Sequence, residues 1–152
     1  MATTTATLSL TSSDLSSDPL SLSTTKTCYK AGTTIGLDQS TGLNKVYLTA
    51  VTPVDIITVP GATKAGNNAK VYIANLSTDD TEYIIVTKGN NVIGRLYAGD
   101  YLWMPWSMRE SANANNHHGD ITITPSVATG MWVEWTCINE GTEYPTENLV
   151  TA

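Results

Sequence analysis

Few residues in this 152-residue chain combine a type and a spacing that support chemistry. The two histidines, His117 and His118, stand side by side with Asp120 close behind, and imidazole with carboxylate is a metal-ligand pairing. Adjacent side chains on an extended chain point to opposite sides, however, and no third His or suitably spaced Cys completes a coordination shell. The reading is an exposed loop tip, with no metal ligand assigned. Cys28 and Cys137, the only cysteines, are too far apart in sequence for a metal knuckle or a redox pair. They read as small packed hydrophobes, with a disulfide as the alternative. Gly32, Gly36 and Gly42 follow Lys30, but a phosphate loop needs Lys and then Ser or Thr directly after its last glycine, with a helix beyond; here Leu43 follows. The carboxylates Asp79, Asp80, Asp100 and Asp120 fall at turns, and no Gly-x-Ser-x-Gly elbow singles out a nucleophile. No catalytic residue and no cofactor is expected, and the protein does not read as an enzyme. Two further arrangements remain: an ion pair between Arg95 and Asp100, and an aromatic set (Tyr97, Tyr101, Trp103, Trp106, Trp132, Trp135) that either fills a core or stacks on sugar rings.

The elements that must position these residues are strands. Val92 to Trp106 carries apolar and aromatic residues around a Gly99-Asp100 turn, with Pro105 as a stop, and predicts the central hairpin of a sheet. Before it, Lys45 to Val51 and Val54 to Val59 alternate on either side of Pro53. Lys70 to Asn75 and Glu82 to Thr87 predict a hairpin, and with the next two strands a four-stranded meander. After it, Ile121 and Ile123 alternate up to Pro125. In Met131 to Ile138, the set Met131, Val133, Trp135 and Cys137 is expected to face the core, leaving Trp132 and Ile138 outside. Asn75-Leu76-Ser77 is a glycosylation sequon that has no meaning without a secretory route.

Fourteen of the first 25 residues are Ser or Thr, yet Leu8, Leu10, Leu15, Leu20 and Leu22 recur among them. Leu8-Ser-Leu10 and Leu20-Ser-Leu22 have strand alternation, so this segment is expected to lay strands on a partner or on its own domain. The fold class that follows is all-β: an antiparallel β-sandwich or jelly-roll-like domain over residues 44–139. An extended Ser/Thr-rich arm and connector (1–43) precede it and a polar tail (140–152) follows.

Bulk properties narrow the partners. Eight Lys plus Arg against fourteen Asp plus Glu give a net charge of −6, which offers no basic cluster for nucleic acid or anionic membrane. No apolar run reaches the roughly 20 residues of a spanning helix. The first residues lack a charged n-region and an apolar core, so no secretory signal is expected and the protein is placed in a cytoplasm. Charged residues make up only 14 %, where soluble domains carry about a quarter, which suggests a surface partly covered by neighbours.

Leu10-Thr-Ser-Ser-Asp14, the Lys30-Ala-Gly32 and Thr41-Gly-Leu43 connector, and Gly94-Arg-Leu-Tyr-Ala-Gly-Asp100 with Met104-Pro-Trp106 together resemble small virion proteins of tailed bacteriophages. These are the capsid decoration (cement) proteins and related head-fibre or tail modules. The resemblance implies a β-sandwich or jelly-roll domain, usually trimeric, whose arm grips the major capsid protein at the capsid surface after assembly in the host cytoplasm. On that reading the arm leucines 8, 10, 15, 20 and 22 meet the partner, and Arg95, Trp103, Trp106 and Trp132 are candidates for subunit contact. The alternative it implies is a tail or head-fibre module that binds host surface glycan.

Overall fold

The strongest alternation in the chain becomes its central strand. In a computed structural model, which describes residues 3–15, 17–30, 32–58, 68–107 and 119–139, Met131–Asn139 is a nine-residue strand with Met131, Val133, Trp135, Cys137 and Asn139 buried. Trp132, Glu134, Thr136 and Ile138 point the other way, as two-residue periodicity requires. The described residues are all-β. The strands in chain order are β1 (Thr5–Ser12), β2 (Leu20–Thr27), β3 (Gln39–Ser40), β4 (Asn44–Leu48), β5 (Val54–Ile57), β6 (Asn68–Asn75), β7 (Tyr83–Lys88), β8 (Asn91–Tyr97), β9 (Tyr101–Ser107), β10 (Ile121–Pro125) and β11 (Met131–Asn139). The expected histidine loop tip and the 140–152 tail lie outside the described residues.

Two antiparallel sheets form a β-sandwich. Sheet I has the order β5-β10-β7-β8; in sheet II, β11 pairs with β4 and β3 on one side and with β6 on the other, and β9 closes the far edge. The core between them is aliphatic: Ile57, Ile84, Val86, Ile121 and Ile123 from sheet I meet Val71, Ile73, Met131, Val133 and Cys137 from sheet II. Trp106 and Trp135 are the aromatic members of this core. Pro105 lies within β9 instead of stopping it, because an edge strand can turn the proline nitrogen away from its single partner.

The connectivity differs from the meander that the spacing suggests. Glycine-rich and polar links normally return a strand beside its predecessor, yet β6 and β7 fall in different sheets, and so do β8 and β9. Among the strands from β4 to β11, only β7 and β8 are consecutive neighbours, joined at Lys88 and Asn91 through Gly89. Alternation reports which face of a strand is buried and is silent about which strand pairs with it, so Val92 to Trp106 becomes an arch between sheets, not a central hairpin.

The physical reason for the arch is Asn75. It is fully buried at the end of β6, where its side chain donates to Glu82 O (3.3 Å) and Leu96 O (3.1 Å) and accepts from Ser77 N (3.0 Å). Its backbone N–H donates to Asp100 O (3.0 Å), and its carbonyl accepts from Gly99 N (3.1 Å). One residue therefore ties the start of β7, the end of β8 and the β8–β9 turn to β6. In that turn Gly99 has φ +79°, and the Asp100 carboxylate accepts from Tyr97 N (2.9 Å). The sequon asparagine is thus a buried cross-sheet tie in the folded protein.

The connector is anchored more firmly than its glycines suggest. Leu37 and Cys28 are buried, Tyr29 bridges to Gly36, Lys30 pairs with Asp38 at 2.6 Å, and β3 joins sheet II beside β11. Both cysteines are free thiols. Burial pushes the Cys137 thiol up to about 12, and burial also raises Cys28, against a lowering influence from the Lys70 ammonium.

Two outcomes test this account. Asn75→Ala orphans two buried carbonyls and one N–H, at about 1–3 kcal/mol for each unsatisfied group, so urea unfolding is expected to show a loss of several kcal/mol. A loss below about 1 kcal/mol would show that Asn75 is not the tie. For the thiols, the folded pKa of Cys137 lies above its unfolded value, so its stabilising contribution is complete below pH 9 and fades as pH rises towards 12. Native protein at pH 8 is expected to leave Cys137 unlabelled by a thiol reagent until denaturant is added, and rapid native labelling would contradict its burial.

Candidate interaction surface

The aromatic residues divide by strand parity. On β9, Leu102, Met104 and Trp106 turn inward, and Trp106 is 1 % exposed with its indole N–H donated to Gly119 O at 2.7 Å. Trp106 therefore belongs to the domain's own core, which corrects its expected role as a subunit contact: a residue with no free surface has nothing to offer a partner. Tyr101 and Trp103 turn outward, 58 % and 38 % exposed.

Strand register assembles the outer face of sheet II from these outward positions. Tyr47 lies opposite Trp132, Lys45 opposite Glu134, Tyr72 opposite Trp103, and Ala74 opposite Tyr101. Directly opposed residues share a face with Cβ atoms about 4.5–5.5 Å apart, so five aromatic rings lie on one side of one sheet. Tyr47 and Trp132 pack with centroids 4.9 Å apart, and Tyr72 and Tyr101 with centroids 6.3 Å apart. Between the two clusters, Glu134 pairs with Lys45 at 3.3 Å. Desolvation raises the Tyr72 phenol, with the Glu134 carboxylate and then Tyr101 adding to it, so this hydroxyl stays protonated and able to donate.

Arg95 lies on the opposite sheet. Its guanidinium sits 4.7 Å over the Tyr83 ring, and Tyr83 packs on Tyr97. The expected Arg95–Asp100 pair is replaced by this cation–π contact, since the Asp100 carboxylate is held by its own turn. Sequence reasoning thus grouped Arg95, Trp103, Trp106 and Trp132, of which only Trp103 and Trp132 share a surface. Tyr101 stood with Trp103 and Trp132 in the aromatic set, but Tyr47 and Tyr72 were missed as their companions, and outward parity on alternating strands was the available signal.

The leucine segment folds on itself. β1 and β2 pair along their whole length, Thr5 with Thr27 through Ser12 with Leu20. Opposed residues share a face, so Leu8, Leu10, Leu20 and Leu22 lie together on one side, each 40–43 % exposed. Every residue on the other side is Ser or Thr, including the Thr7–Thr25 hydroxyl contact at 2.9 Å. Leu15, in the connecting bend, is more exposed still. The base of the hairpin stands over the outer face of sheet II and leaves a cleft of about 780 Å³, with Thr4 to Leu8, Thr24 and Lys26 on one wall and Tyr72, Tyr101, Trp103 and Ile138 on the other.

Among the described residues no three His, Cys, Asp or Glu side chains gather as metal ligands. The surface can stack, bury and hydrogen-bond. One glycine guards its geometry: Gly130 has φ +111°, and a Cβ there would fall inside the Tyr47 phenol. Gly130→Ala is expected to cost about 2 kcal/mol or more and to break the Tyr47–Trp132 pair, read as increased acrylamide quenching of indole fluorescence. Unchanged stability and quenching would contradict the packing. Comparison of the chain with protein-family models and with curated proteins found no match.

Proposed function

We propose that this is a structural virion protein of the capsid decoration (cement) type, which binds the major capsid protein lattice and acts mechanically, without catalysis. The observation that carries the reading is the leucine face of the β1–β2 hairpin. A two-stranded ribbon is marginal in water by itself, and this one presents four leucines on a side that its own chain leaves uncovered toward the tip. Completing the burial of each leucine is worth on the order of 1 kcal/mol, so docking the face on a partner would convert a weak element into an anchor. The hydroxyl side then stays in water. The low charge of the chain and its resemblance to phage virion proteins support a setting in which many copies share the load, where modest contacts add by multivalency. A homotrimer is the assembly that the same resemblance supports.

The test is co-sedimentation with purified capsids lacking the protein. The full-length Leu10→Asp/Leu22→Asp variant, checked for an unchanged sandwich by thermal melting, is expected to bind at least about tenfold more weakly. Equal binding by wild type and variant would overturn the proposal. Light scattering of the free protein gives the oligomer, with three chains expected.

A further inference from the structure

The hairpin changes character along its length. Towards the tip its inward side is leucine, from Leu10 opposite Leu22 to Leu20 opposite Ser12. Towards the base, where it overhangs sheet II, the same side becomes Leu8 opposite Thr24 and then Ala6 opposite Lys26. A continuous apolar clamp would have kept leucine there. Instead the overhang supplies hydroxyls, Thr24 among them, and the Lys26 ammonium above a floor of exposed and half-buried aromatic rings. Lys26 makes no ion pair among the described residues.

The floor is contiguous. Tyr72 is directly opposite Trp103, Tyr101 is two residues from Trp103 on the same face, and the Tyr72 and Tyr101 rings are 37° from coplanar. About 780 Å³ lies between floor and overhang, within the range of roughly 300–1,000 Å³ found for small-molecule sites. Tyr and Trp each join a flat apolar face to a polar handle, and this combination suits a ligand whose faces are C–H and whose rim is hydroxyl. A purely apolar ligand would leave the Thr24 hydroxyl and the Lys26 ammonium without a partner on binding, at a cost in affinity. Among the residues that line the cleft a phosphate-rich ligand finds one ammonium, with the Glu134 carboxylate opposite Ala74, two residues from Tyr72, on an acidic protein.

We infer that the cleft between the base of the β1–β2 hairpin and the Tyr72–Tyr101–Trp103 platform is an oligosaccharide-binding site, with Trp103 and Tyr101 as stacking platforms and Thr24 and Lys26 as hydrogen-bond donors to the sugar rim. This site does not depend on capsid binding, which the tip of the hairpin serves. A decoration protein with such a cleft would present a weak, many-copy sugar-binding surface.

The probe is a printed array of bacterial surface polysaccharides and defined oligosaccharides, with the full-length protein applied and each positive sugar then titrated by indole fluorescence. Wild type is expected to bind at least one sugar class. Trp103→Ala and Lys26→Met, both at exposed positions, are expected each to weaken binding by about tenfold or more, while Trp132→Ala on the far side of Glu134 leaves it within about twofold. Thermal melting of every variant separates lost binding from lost fold, and the conservative Trp103→Tyr is expected to restore most of the affinity. Absence of any sugar binding overturns the inference, and so does binding that survives both Trp103→Ala and Lys26→Met or that is lost in Trp132→Ala.

Discussion

The fold depends on where one buried carboxamide spends its hydrogen bonds. Asn75 ends β6 inside the protein, where water cannot satisfy the carbonyls of Glu82 and Leu96 or the N–H of Ser77. A buried polar group without a partner is costly, so leaving these three segments untied would cost stability at each of them. That point is also where the chain leaves sheet I at Tyr97 and enters sheet II at Tyr101. The backbone of the same residue, bonded to Gly99 N and Asp100 O, sets the register of β9, and the register of β9 sets which of its aromatics face out. A shift of one residue would bury Tyr101 and Trp103 and expose Trp106.

The outer face of sheet II and the hairpin illustrate two ways of leaving apolar surface in water. The aromatic face keeps its rings amphipathic, with phenol hydroxyls at the rims and the Lys45–Glu134 pair between the clusters. The hairpin keeps aliphatic leucines but confines them to one side of a thin ribbon whose other side is entirely hydroxyl. Scattered exposed hydrophobics carry no message, whereas apolar residues segregated by register onto one face do.

Much of this was legible in the sequence, within limits that have physical causes. The alternation of Met131 to Ile138 and of Ile121 to Thr124 identified the strands and their buried sides, because a two-residue period is a local property. The leucines of residues 8–22 foretold two strands, although not that they would pair with each other. Sheet membership was not legible, because it depends on long-range ties such as Asn75 to Leu96, which leave no periodic trace. The surface was legible only in part for the same reason. Tyr47, Tyr72 and Tyr101 lie on three strands, and they become neighbours only through β11 and β6. Trp103 and Trp106 look alike as residue types, and strand parity separates them.

The same connectivity orders events in time. Sheet II cannot close until β11 is available, since β4 and β6 meet only across that strand, and β11 is the last strand among the described residues. Pairing between such distant segments is slow, while a hairpin whose strands are joined by a short bend closes within microseconds. During synthesis the leucine-faced ribbon is therefore the first element able to pair, and, marginal in water by itself, it gains support only when the sandwich or a partner backs it. Its hydroxyl side and the Asp14 and Asp18 of its bend give that ribbon polar and charged surface, features that oppose edge-to-edge association.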